Sequence, residues 1–224
     1  RQRLALGIYA EPVNKNIKQI DAEFVNGRMW AKDASLWTSY NPDRHKIENR
    51  LGWLDVLDTI DLDRIKALQV SIKDSDFGHV VLLGMGGSSL APDVLNRIFG
   101  KQDDFPELIV LDSTNPSQIK QVEAKIDITK TLFVVASKSG TTLETLSFFH
   151  YFWEKTGHAG VQFIAITDPD TPLATLAKHH KFRDSFINPA DIGGRYSALS
   201  YFGLVPAGLM GLDLNKLWAN AEHM

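Results

Sequence analysis

The chain has 224 residues, of which 44% are hydrophobic and 23% charged, enough for one substantial core or two small ones in an ordinary globular composition. Its 24 lysines and arginines against 27 acidic residues give a formal charge of -3, so no concentrated basic surface recommends nucleic acid or an anionic membrane as a partner. Zero cysteines exclude disulfides, thiolate metal sites and cysteine nucleophiles.

The first third reads as helical. Ile17, Ile20, Phe24 and Met29 recur at roughly helical spacing, and Asp61 to Lys73 repeats apolar residues at Leu62, Ile65, Leu68 and Ile72. Between them Trp30, Trp37 and the stretch from Asn49 to Trp53 are aromatic-rich and broken by Asn41-Pro42, the pattern of a helical layer packing tryptophans onto a neighbouring domain. A border near Asp74 to Phe77 divides this extension, residues 1–76, from a second domain, residues 77–224.

From Phe77 onward, short apolar runs alternate with helical segments. His79 to Leu83, Leu108 to Leu111, Thr131 to Ala136, Val161 to Ile166 and the more polar Arg183 to Ile187 are strand candidates. Helices are expected over Leu90 to Phe99, after Asn115 as N-cap with Pro116 at the first helical position, over Thr142 to Lys155 and over Pro172 to His180. Apolar helical sequence then follows Gly193-Gly194. This alternation predicts an α/β fold, a doubly wound parallel five-stranded sheet.

In the flavodoxin-like order 2-1-3-4-5, strands one and three are neighbours at the topological switch point. The loops after them, Gly84-Met-Gly86-Gly87-Ser88-Ser89 and Ser137-Lys138-Ser139-Gly140-Thr141-Thr142, then open into one crevice. Glycines allow close approach of the backbone, helix N-termini attract anions, and the hydroxyls and Lys138 add donors and charge. A phosphate monoester fits this equipment, whereas one such loop alone would read as a turn and a helix cap.

A dinucleotide site is the main rival at this point. Gly84-Met-Gly86 with Ser89 in the third position is an incomplete G-x-G-x-x-G, and Asp112 ends the second strand where a ribose-binding acid would stand. Asp112 also opens the turn sequence Ser113-Thr-Asn-Pro, and a dinucleotide fingerprint has no use for the second loop. Ser117-Gln-Ile-Lys120 with Lys138-Ser-Gly140 mimics pieces of a β-lactamase signature, but Ser-Asp-Asn is absent and the pieces fall in the wrong elements.

Three segments, Gly84-Met-Gly-Gly-Ser-Ser-Leu-Ala-Pro92, Ser137-Lys-Ser-Gly-Thr-Thr-Leu-Glu-Thr145 and Asp191-Ile-Gly-Gly-Arg-Tyr-Ser197, resemble phosphoglucose isomerases and, more broadly, the sugar isomerase (SIS) domains that bind phosphosugars. Their order matches, and they span most of the chain after Phe77; the third is the most specific, and Ala91 stands where the family often has glycine. The resemblance implies that Ser88, Ser137, Ser139 and Thr142 hold a sugar phosphate, that Gly87 and Lys138 line its site, and that Arg195 faces the reacting carbons. Aldose-ketose exchange passes through an enediolate, whose developing charge a fixed guanidinium stabilises. Without the flanking motif, Arg195 would read as a solvent-facing loop residue. Glu144, in the first turn of its helix where the dipole favours a carboxylate, matches a supporting member of the family's active-site cluster.

The resemblance further implies what lies elsewhere. The family's principal glutamate base, ring-opening histidine and late lysine belong to a second SIS domain further along the chain, and nothing after Ser197 matches them. Beginning at Arg1 and stopping at Met224 inside helical sequence, the chain is expected to be part of a longer homodimeric enzyme that interconverts glucose 6-phosphate and fructose 6-phosphate, with little or no turnover alone. No metal or organic cofactor is implied. His150, His158, His179 and His180, in or beside predicted helices, are expected on the surface or in packing. Arg28 to Asp33 and Asn49 to Asp55 look like the start of the isomerase part of bifunctional transaldolase/glucose-6-phosphate isomerases. A non-catalytic sugar-phosphate sensor on the same fold is the alternative from another class, against which the context of Arg195 argues. No bilayer-length apolar run or secretory pattern is present in the sequence, and a cytoplasmic location is the expectation.

Overall fold

The structure, a computed structural model, describes residues 5–223. Strands β1 (His79–Gly84), β2 (Glu107–Leu111), β3 (Thr131–Ala136), β4 (Phe163–Thr167) and β5 (Asp184–Ile187) form an all-parallel sheet in the order β2-β1-β3-β4-β5. The expected topology is therefore the observed one. The central strands are runs of valine, leucine, isoleucine and phenylalanine because helices cover both faces.

Alternation along β1 divides the core. Val80 and Leu82 face α5 (Leu62–Lys73) and α10 (Tyr201–Leu209), while Val81 and Leu83 face α8 (Leu143–Lys155) and α9 (Pro172–His179). On the second face Phe133 stacks on Phe152 at 4.7 Å and on Phe163 at 5.2 Å, an offset aromatic layer that excludes water from the centre of the sheet. α10 is buried along its whole length, which is why its sequence is apolar all round rather than amphipathic.

The helices α6 (Leu90–Phe99) and α7 (Pro116–Lys125) complete the crossovers, the latter capped by Asn115, whose Oδ1 accepts from the Ser117 amide at 2.9 Å. β4 starts two residues later than the apolar run suggested, because Gly160–Gln162 forms a 3-10 turn that leaves Val161 exposed.

The N-terminal part departs from a continuous helical layer. α1 (Ala10–Ala22) ends before Phe24, which adopts φ +51°, and α2 (Val25–Trp30) starts a new direction. Ile17, Ile20, Phe24, Trp30 and Trp37 are exposed, so their spacing marks helices without burying them. Trp53, by contrast, packs on the core, after α3 (Asn41–Glu48) and beside α4 (Val56–Thr59). Ile65, Leu68 and Ile72 of α5 lie in the same core cluster as β1 and α10, so the hydrophobic layer runs through the position of the expected 76/77 border. A last helix, α11 (Leu214–His223), closes the described residues, and no described helix is long and apolar enough to cross a membrane.

Candidate functional site

Gly84 and Ala136 are register partners at the carboxyl ends of β1 and β3, so the two glycine-serine loops leave the sheet side by side. In the first loop Gly86 takes φ +56° and Gly86–Ser88 forms a 3-10 turn. In the second, Gly140 takes φ +66°, and a Cβ there would stand 2.7 Å from Cβ of Thr171, so conformation and space both require glycine.

Ser137 organises the second loop from beneath. Its buried hydroxyl accepts from the Gly140 amide at 3.1 Å and shares a 2.8 Å hydrogen bond with Oγ1 of Thr142. Ser139 is exposed above it, accepting from the amide and hydroxyl of Thr141 at 3.3 and 2.9 Å.

The helices entered from these loops lack a side-chain cap at their N-termini, as do α1 to α4 of the N-terminal part, whereas four other helices are capped. Side chains of Asp61, Asn115, Thr171 and Ser200 cap α5, α7, α9 and α10. Ser89 and Thr142 occupy the same position before α6 and α8 yet make no side-chain cap bond. The first amides of these two helices are left for another acceptor, and their dipoles favour an anionic one.

The segment around Arg195 closes the arrangement. Ser197 donates to the carbonyls of Gly194 at 2.8 Å and Gly87 at 3.2 Å, and a Cβ on Gly87 would lie 2.4 Å from the Gly194 oxygen. From the N-terminal side, Leu51 and Ile192 form an antiparallel bridge, the Gly52 amide donates to the Asp191 carbonyl at 3.0 Å, and Trp53 stacks on Tyr196 at 5.4 Å. Lys32 lies 2.8 Å from Asp55 and 3.6 Å from Asp191; the hydrogen bond to Asp55, against the cost of burial, raises its pKa.

Gly87, Ser88, Lys138, Ser139 and Thr142 line one cleft of about 480 Å³, together with Met85, Asp168, Gly194, Ser197 and Phe202. Of the expected phosphate ligands, only Ser137 stands behind the wall, as a support. Arg195 lines an adjoining apolar groove of about 340 Å³ with Leu90, Val94, Leu199 and Leu217; the two cavities share Gly87, Gly194 and Ser197 as a partition. Glu144 is half-buried in the first turn of α8 and lines neither cavity.

Asp112 lines a separate depression with Asp93, Arg97 and Lys125, so β2 and the second loop do not serve one dinucleotide-shaped site. None of the four noted histidines lines the cleft: His158 stacks on Trp153 at 5.3 Å, and His180 packs on the same indole at 4.5 Å.

One lining residue escaped the sequence reading. Asp168, just after β4, receives a hydrogen bond from Nζ of Lys138, which also donates to the Ala190 carbonyl at 2.8 Å. Burial raises the Asp168 carboxyl above its ordinary range, with Lys138 opposing the shift. Only its place at the carboxyl end of a strand marked it in the sequence.

The family model described as phosphoglucose isomerase matches residues 66–224. Glucose-6-phosphate isomerase of Campylobacter jejuni is 32% identical over 178 residues, 77% of this chain and 43% of that protein. That of Thermus thermophilus is 35% identical over 181 residues, 77% of this chain and 42% of that protein. Among solved structures, a hypothetical protein, also from Thermus thermophilus, superposes with a TM-score of 0.78 at 28% identity, covering 96% of this chain and 50% of its own. A glucose-6-phosphate isomerase from Chlamydia trachomatis shares the fold, with a TM-score of 0.61 at 23% identity, over 82% of this chain and 35% of its own. The chain thus spans less than half the length of these curated relatives.

Proposed function

The chain belongs to the phosphoglucose isomerase family, and from that premise we propose that it is the first phosphosugar-binding domain of a cytoplasmic glucose-6-phosphate isomerase. The observation that carries this reading is the pair of uncapped helices, α6 and α8, entered from adjacent loops at one cleft. A phosphate monoester there accepts from the free amides and from the hydroxyls of Ser88, Ser139 and Thr142, while Ser137 holds the loop and Gly87 and Lys138 form the walls.

With the phosphate so anchored, the sugar extends toward the partition and Arg195. Its guanidinium, without an ion pair or hydrogen-bond partner among the described residues, stabilises the enediolate formed as a proton moves between adjacent carbons of glucose 6-phosphate and fructose 6-phosphate. Glu144 supports that cluster. The principal base and the ring-opening group come from a second SIS domain of a longer homodimeric protein, and the proton-transfer route calls for neither metal nor redox cofactor. The placement of Arg195 in the adjoining groove favours one competing reading, a phosphosugar sensor that binds without turnover.

Calorimetric titration with fructose 6-phosphate tests the assignment on the wild-type chain and on Thr142→Val. Saturable binding that weakens at least tenfold in the variant is expected; equal binding by both proteins overturns the cleft assignment. Isomerase assays on a family-length protein carrying Arg195→Ala separate enzyme from sensor, since only an enzyme has turnover to lose.

A further inference from the structure

Among the residues lining the cleft, one is cationic and one is a carboxylate, Lys138 and Asp168, and they are bonded to each other. The Asp168 side chain is only 14% exposed, and the Ala190 carbonyl fixes the Lys138 ammonium from a second direction at 2.8 Å. The side chains of the lining therefore carry no net charge. Oδ1 of Asp168 is buried without a well-formed hydrogen bond; the Asn188 side chain nearby eases the charge on that carboxyl, and Asp191 adds to the negative field on it. A carboxylate placed this way is a repulsive element for a phosphate monoester, which is mostly dianionic at neutral pH.

We propose that Asp168 is a positioning residue that damps the affinity of the cleft for phosphate by neutralising Lys138 and tethering it to the wall. The inference rests on the phosphosugar reading of the cleft. With the ammonium held, the anion is met by neutral donors: helix amides and hydroxyls. A freed ammonium would tighten the hold on substrate and product alike, and such uniform binding lowers KM without raising turnover. Lys138 in the tethered state contributes a fixed wall between the second loop and the Ala190 segment rather than a mobile charge.

The test is calorimetric titration of inorganic phosphate and of fructose 6-phosphate into the wild-type chain, Asp168→Asn and the double variant Asp168→Asn with Lys138→Met, at low and moderate salt. Removing the carboxylate leaves one net positive charge beside the anion, so Asp168→Asn is expected to bind both ligands about tenfold more tightly, with a steeper salt dependence. The double variant is expected to lose that gain. Weaker binding by Asp168→Asn overturns the proposal and makes Asp168 a strut of the loop; so does a gain that persists without Lys138. Should Asp168→Asn fail to fold, Asp168→Ser removes the same charge and carries the same expectations. If the wild-type chain binds neither ligand, the phosphosugar reading fails; a gain of phosphate binding in the variant still supports the charge effect, and no gain overturns it.

Discussion

Gly87 and Gly194 meet backbone to backbone: a Cβ placed on Gly87 would stand 2.4 Å from the carbonyl oxygen of Gly194. Through this contact the first glycine-serine loop touches the segment that presents Arg195, and Ser197 bridges the two by donating to both carbonyls. The partition between phosphate cleft and apolar groove is thus made of backbone, which a side chain cannot rotate away from.

Gly87→Ala should consequently act on both sides of the partition. The methyl group must push the Gly194 segment outward, an overpacking that costs about 1–3 kcal/mol. Urea denaturation is expected to show that loss, and fructose 6-phosphate titration an affinity reduced more than tenfold. Unchanged stability together with unchanged binding would mean that the partition yields without consequence.

The two serines of the second loop are expected to separate stability from binding. Ser137→Ala removes the side-chain partner of the Gly140 amide, which keeps the Ser137 carbonyl at 3.2 Å, and of the Thr142 hydroxyl, and should cost about 0.5–1.5 kcal/mol. Ser139 is exposed, so Ser139→Ala should alter stability by no more than about 0.5 kcal/mol. Its removal takes away a hydrogen bond to an anion and should weaken fructose 6-phosphate binding about tenfold. Denaturant midpoints and calorimetry on the same preparations read both effects, and a reversed pattern would exchange the roles of the two residues.

The strands Thr131–Ala136 and His79–Gly84 were legible because a buried parallel strand must be apolar on both faces, and the loops because only glycine and small hydroxyl residues suit a close backbone turn into a helix. Long-range pairings were not. Asp168 follows β4 beside the second loop and is bonded there to Lys138, 30 residues earlier, and a lone aspartate after a strand carries no sign of that partner. Likewise, Leu51 and Trp53 looked like generic helical-layer residues until the fold brought Ile192 and Tyr196 beside them. The groove containing Arg195 belongs to the same class, since α6, the partition and Leu217 come from three distant parts of the chain.

The histidines around Trp153 give the fold an acid-sensitive corner. Burial lowers the pKa of His180 below its ordinary value, and the neighbouring His179, His150 and His158 lower it further. The unfolded chain therefore binds more protons just below about pH 6.5, so stability present above that pH is lost as the pH falls toward the depressed folded value. Melting temperatures measured between pH 8 and 5.5 should fall more steeply for the wild-type chain than for His180→Asn. Parallel curves would remove His180 as the cause.

Arg195 lies between Gly194 and Tyr196, so its direction depends on what holds those neighbours. Tyr196 is stacked on Trp53 with ring planes 18° apart, and Asp191 is held by the Gly52 amide and faced by Lys32. None of these contacts touches the phosphate loops. Trp53→Ala is therefore expected to loosen the 191–197 segment while leaving the second glycine-serine loop folded, with the lost stacking alone costing about 0.5–1.5 kcal/mol. Hydrogen exchange should rise selectively at the amides of residues 192–197, with those of Gly140 and of α8 unaffected. In a family-length protein the same substitution should lower kcat while changing KM for fructose 6-phosphate less than threefold, because the phosphate is still held and only the guanidinium loses its fixed direction. Exchange that rises equally across both loops would instead make Trp53 an ordinary core residue, and the N-terminal segment would have no particular hold on Arg195.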